Sequence, residues 1–220
     1  MSNSSLVDFT LLSPYYTWMS NKKNKKITIH HAAGKVTAEG LGWCFVEPGK
    51  NASSNYGIGY DGKIGLYVEE HYAAWTSSNS NNDQQAVTIE VSNDSGAPNW
   101  HVSDAALNSL VALCVDICRR NGIERLNYTG DKTGNLTMHK WFANTACPGP
   151  YLESKFPWIA EQVNKKLGVS NGGNSSSEST STSTSTEKAL SRGATGKEVT
   201  ELQKKLIAIG YNCGSAGADG

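Results

Sequence analysis

The sequence predicts an α/β domain: a mixed central β-sheet flanked by helices, then a flexible linker and a truncated helical module. Three observations lead there. Short segments alternate apolar and polar residues with the two-residue period of a strand. Longer segments between them repeat apolar residues with the period of a helix. Past residue 168 the composition shifts to Ser, Thr, Gly and Asn. Strands interleaved with helices bury their apolar faces as a sheet with helices packed on it.

In chain order, Ile27-Thr-Ile-His-His31 alternates, with Ile27, Ile29 and His31 on one face and Thr28 and His30 on the other. A short helix is expected from Thr37 to Phe45. Tyr56 through Val68 reads as two strands around an Asp61-Gly62 turn. Residues 86–92 alternate again, Val87, Ile89 and Val91 opposing Thr88, Glu90 and Ser92. Ser103 is placed to cap a helix carrying Leu107, Leu110, Val111, Cys114 and Cys118, and Gly122 to end it. A further helix starts near Tyr151 and carries Leu152, Phe156, Ile159, Val163 and Leu167. Residues 1–168 thus form one domain. Residues 169–187 hold too little apolar surface to offset ordering entropy and are expected to be a linker. In residues 188–220, Thr195 and Glu198 make a capping-box pattern, and Val199, Leu202, Leu206 and Ile209 make one stripe that Gly210 ends. One such helix has nothing to bury against, so this part reads as an incomplete module.

Charge and cysteine content narrow the function. Lys+Arg and Asp+Glu both number 20 in a chain of 220 residues. That balance lacks the basic face of a nucleic-acid binder. The cluster Asn21-Lys-Lys-Asn-Lys-Lys26 reads as a solvated lead-in to a strand. No stretch approaches the roughly 20 apolar residues that span a bilayer, so no membrane insertion is expected. The N-terminal residues show neither a basic n-region nor an apolar h-region, so no signal peptide is expected. Five cysteines without a spaced framework argue against disulfide scaffolding. Cys44, Cys114 and Cys118 read as small buried apolar residues. A monomer is expected.

The chemistry concentrates in three places. His139 and Cys147 lie eight residues apart in a loop punctuated by Pro148 and Gly149. His30 sits on the polar face of a strand, where core packing does not explain it. Two imidazoles and a thiolate make three zinc ligands and leave a fourth tetrahedral position for water, the ligand count of a catalytic site. Glu90 shares the face of His30 if their strands are neighbours. A carboxylate there can move a proton between water and a leaving amine; the alternative is a solvent-facing strand residue. Tyr72 and Trp75 offer flat rings as a substrate wall, with a packed core indole the alternative for Trp75. His71 could line a groove, although His71 and His101 also read as ordinary surface residues. His31 points away from His30, toward packing or a backbone partner.

These residues resemble the type-2 N-acetylmuramoyl-L-alanine amidase family, which includes peptidoglycan recognition proteins and phage lysins. The resemblance covers roughly residues 25–165. Ile27–His31 is similar to the family's first-ligand strand, Asn55-Tyr56 to its active-site tyrosine segment, and residues 86–91 to the strand that bears a glutamate in some members. His139 through Gly149 is similar to the segment with the last two ligands. The resemblance implies a zinc groove formed by His30, His139 and Cys147, and hydrolysis of the amide joining muramic acid to L-alanine in bacterial peptidoglycan. It implies Glu90 as proton carrier, with Tyr56 and Thr145 donating to the oxyanion. Thr145 stands where some members carry Lys. Members lacking the cysteine bind peptidoglycan without cutting it. The tail from Leu190 resembles the start of a peptidoglycan-binding repeat. Without an export signal the expectation is an endolysin, held in the host cytoplasm until release and acting at the wall. An autolysin, a non-catalytic peptidoglycan receptor and a zinc peptidase are the alternatives.

Overall fold

The computed structural model describes residues 2–169 and 195–208. The chain divides into two compact units, Met1–Gly172 and Gly173–Gly220. Among the described residues, eight strands run in the first unit: β1 (Phe9–Thr10), β2 (Tyr16–Thr17), β3 (Lys26–His31), β4 (Tyr56–Ile58), β5 (Ile64–Leu66), β6 (Ala73–Ala74), β7 (Ala86–Val91) and β8 (Leu136–Met138). Four helices accompany them: α1 (Ala38–Cys44), α2 (Ser80–Asp83), α3 (Asp104–Asn121) and α4 (Pro150–Leu167). A 3-10 turn covers His139–Trp141. In the second unit α5 covers Lys197–Ala208, and the Thr200 N–H donates to the Gly196 carbonyl, so the helix opens at Gly196, one residue after the expected Thr195 cap. Residues 170–194, which hold nearly all of the expected linker, and residues 209–220, with the expected helix stop at Gly210, lie outside the described residues.

Six strands form one mixed sheet in the order β1-β5-β4-β7-β3-β8. Only the β4–β5 pair is antiparallel, joined by the predicted Asp61-Gly62 turn with Gly62 at φ 87°. β2 and β6 form a separate antiparallel ribbon. One sheet face carries Ile27, Ile29, Val87, Ile89, Val91 and Leu136 into the main core beneath α3 and α4. The other carries Thr28, His30, Thr88, Glu90 and Thr137. A parallel sheet buried on both faces is usually apolar throughout; here one face is polar instead.

The helices start and stop where their caps dictate. Thr37 Oγ1 accepts from the Gly40 N–H and opens α1. Ser103 Oγ accepts from the Ala106 N–H and opens α3, which Gly122 closes at φ 67°. Cys114 and Cys118 are buried on α3, and Cys44 is half-buried. Lys22 departs from expectation. It is 1% exposed, and its Nζ donates to the Tyr72 and Ala86 carbonyls. The basic segment is therefore partly a tether between the β2–β6 ribbon and the main sheet. Burial pulls the Lys22 ammonium down to about 8.

Candidate metal centre

Parallel pairing sets His30 directly opposite Glu90 across β3 and β7. His30 Nδ1 lies 3.9 Å from Glu90 Oε1. β8 pairs with the other side of β3 and delivers His139 from the turn that follows it, its ring centroid 4.5 Å from that of His30. The loop between that turn and α4 folds back to bring Cys147 in. The Lys140 N–H donates to the Cys147 carbonyl at 3.0 Å, and the Cys147 N–H donates to Thr145 Oγ1 at 3.2 Å. The His31 N–H reaches Cys147 Sγ at 3.4 Å. One ligand atom each from His30, His139 and Cys147 lie within 4.8 Å of one another.

Burial and electrostatics suit a cation. Nε2 of His30, Nε2 of His139 and Oε2 of Glu90 are buried without hydrogen-bond partners, a cost tolerated where something else satisfies such atoms. Burial, with His139 and His31 nearby, holds His30 well below the ordinary histidine range. Burial also lowers His139, against the pull of Asp83. Both imidazoles are therefore neutral at pH 7, the form that ligates. Burial and the Glu90 charge push the Cys147 thiol up, while the His31 N–H opposes them; a bound metal removes such a proton outright. Two imidazoles and one thiolate are a borderline-soft set that fits zinc. Burial raises Glu90 to about 7, and Lys50 pulls it back.

Beneath the cluster runs a bonded floor that sequence reasoning did not single out. Thr28 and Thr137 hydroxyls meet at 2.9 Å, and Asn82 Nδ2 donates to Thr28 Oγ1 at 2.9 Å. Thr88 meets Thr76 at 2.9 Å and accepts from the Asn55 N–H. The sequence does hold a signal. A threonine stands two residues before each of His30, Glu90 and His139, on the same face in a strand.

Tyr56 requires a correction. It pairs with Ile89, not with Glu90, so its side chain enters the apolar core on the opposite face. It is fully buried, its hydroxyl donates to Glu70 Oε1 at 2.6 Å, and it accepts from the Ser4 N–H at 2.8 Å. Glu70 is held in turn by Arg120 and Asn121. Tyr56 thus anchors the N-terminal arm and cannot face an oxyanion at the metal cluster. The apolar pair Tyr56 and Ile58, flanking Gly57, was the clue. The expected aromatic wall also divides. Trp75 lines one cavity, and Tyr72 stacks on Tyr16 at 4.7 Å beside another recess. His71 is half-buried, against Tyr72 and 3.8 Å from Glu69. His31 packs its ring edge-on against Trp100.

Comparison with known proteins follows the same lines. Residues 20–150 match the model of the N-acetylmuramoyl-L-alanine amidase family. N-acetylmuramoyl-L-alanine amidase CwlL of Bacillus licheniformis is 29% identical over 151 residues, which are 68% of this chain and 38% of that relative. A probable N-acetylmuramoyl-L-alanine amidase of the same organism is 23% identical over 151 residues and 39% of its own length. This chain therefore spans about two fifths of the curated relatives it matches. Among solved structures, Staphylococcus aureus hydrolase AmiA in complex with its ligand superposes with a TM-score of 0.58 at 16% identity, over 78% of this chain and 89% of that one. PlyL gives 0.52 at 17% identity, over 70% and 88%. These likenesses are of fold. Since the family model covers more than half of its length, the chain belongs to the N-acetylmuramoyl-L-alanine amidase family.

Proposed function

We propose that this chain hydrolyses the amide bond between N-acetylmuramic acid and L-alanine in bacterial peptidoglycan, with one zinc ion held by His30, His139 and Cys147. The observation that carries the reading is the meeting of those three ligand atoms, from three separate segments, beside a half-buried carboxylate. Bound there, zinc supplies Lewis acidity to the scissile carbonyl and makes water a stronger acid.

The chain's own residues do the rest. Glu90, ionised, takes a proton from the attacking water and returns it to the departing alanine nitrogen. Its near-neutral proton affinity suits both transfers. Thr145 is half-buried two residues from Cys147, and its hydroxyl, which accepts from the Cys147 N–H, keeps its own O–H for the oxyanion. The threonine floor fixes the strands that present His30 and Glu90.

Purified cell walls digested with wild type and with His139→Ala test this. Wild type is expected to release alanine amino termini, to stop on chelation and to recover with zinc; His139→Ala is expected to release none. New termini at other stem residues would point to a peptidase instead. Wall binding without release would point to a receptor.

A further inference from the structure

The polar floor under the metal cluster traces back to one carboxylate on α2. Asp83 is 5% exposed, and Ser77, Asn82, Thr28, Thr88 and Thr137 are buried with it. Asp83 receives donors only: the Thr76 N–H at 3.2 Å, the Ser77 N–H at 3.2 Å and the Ser77 hydroxyl. That is the pattern of an ionised acid, which accepts and has no proton to give.

Two hydrogen-bonded branches leave this carboxylate. In the first, Asn82 Nδ2 donates to Ser77 Oγ at 3.2 Å and to Thr28 Oγ1 at 2.9 Å, and Thr28 meets the Thr137 hydroxyl at 2.9 Å. Register sets Thr28 opposite Thr137 across β3 and β8. Each stands two residues before a ligand, His30 or His139, so the hydroxyl pair lies one rung below the two imidazoles. In the second branch Thr76, its N–H bound to Asp83, sets its hydroxyl 2.9 Å from Thr88 Oγ1. Thr88 stands one rung below Glu90 on β7.

The strands need such bracing. β8 pairs with β3 over three residues only, a short backbone hold for a ligand-bearing strand. A catalytic constellation has to be fixed to within about 0.5 Å. A buried polar chain with its partners satisfied is stiff, because opening one bond strands a group away from water. We propose that Asp83 is a positioning residue of the hydrolytic centre, rooting one branch that sets the spacing of His30 and His139 and another that sets the placing of Glu90. The branches divide the work. The Asn82 branch governs metal affinity, and the Thr76 branch governs turnover. The turnover half rests on the amidase reading above; the affinity half is independent of it.

The test uses the full chain and three variants. Zinc affinity is read by competition with a chromophoric chelator, and kcat and KM by alanine release from cell walls. Asn82→Ala is expected to weaken zinc binding about tenfold, with kcat of the zinc-saturated enzyme close to wild type. Thr76→Val is expected to keep zinc affinity and lower kcat about tenfold at unchanged KM, and Thr76→Ser, which keeps the hydroxyl, to restore it. Asp83→Asn is expected to show both losses; should it not fold, the two branch variants decide alone. A role in folding only would lower melting temperatures and leave zinc affinity, kcat and KM of the folded protein at wild-type values, and that result overturns the proposal. It falls equally if Asn82→Ala and Thr76→Val give one and the same profile. Zinc binding by wild type without alanine release overturns the amidase reading, and the zinc affinity of Asn82→Ala and Asp83→Asn then still decides whether Asp83 positions the ligands.

Discussion

Single residues decide the chemistry, and two of them make opposite predictions. Glu90→Gln is expected to keep zinc at one equivalent per chain while the rate of alanine release falls about a hundredfold or more. Metal analysis beside an end-group assay checks both halves. Tyr56→Phe should do the reverse. It loses the bonds to Glu70 and Ser4, which costs roughly 2 kcal/mol of folding stability because one partner is a buried carboxylate, and turnover stays within twofold. A turnover loss like that of Glu90→Gln would return Tyr56 to the reaction. Acid should act through Glu90. Burial raises its proton affinity to about 7 without metal, and a nearby cation favours the ionised form and lowers that value. The base works deprotonated, so kcat/KM is expected to fall as pH drops through a single protonation at or below 7. That acid limb should be missing from the residual rate of Glu90→Gln.

At the scale of elements, legibility tracked length. β3 and β7 run six residues each, long enough to display alternation, and their sequence faces are the faces observed. α3 and α4 run eighteen residues and carry readable caps or apolar stripes. β1, β2 and β6 are two residues long and β8 three, too short for any period to emerge, although β8 is what brings His139 to His30. The role expected of Tyr56 came from the family resemblance and not from its strand, whose face is set by its neighbour's register; the apolar Tyr56–Ile58 pair was the local sign against it. The His30, His139 and Cys147 convergence was legible because an unexplained imidazole and a Pro-Gly loop are chemical signals that survive without periodicity. The ligand loop is also an element with a weak point. Gly149 sits at φ 80°, and a Cβ there would come 2.9 Å from His31 Cε1. Gly149→Ala should therefore displace the strand-to-loop contact that seats Cys147 and weaken zinc binding roughly tenfold or more, as losses around a metal's ligands do. Competition with a chromophoric chelator measures it, and unchanged affinity would show that the loop accommodates the methyl group.

For the molecule as a whole, metal binding is also a folding term. Ligands contributed by β3, the turn after β8 and the loop before α4 are assembled only in the native state. Zinc at about a hundred times its dissociation constant should add roughly 2.7 kcal/mol to stability. Chelation is expected to lower the melting temperature of wild type, and zinc to have no effect on that of His139→Ala. Equal shifts in both would place the stabilising metal elsewhere.

The pairing of His30 with Glu90 in a two-sided sheet has an outcome for how such a domain can change over generations. Strand faces alternate strictly, so inserting or deleting one residue within Lys26–His31 would send the imidazole into the greasy interior and push isoleucine outward. Reactivity and solidity would fail in the same stroke. Length variation among descendants of this chain is thereby steered to the connecting loops, and the paired segments can drift in composition but not in count.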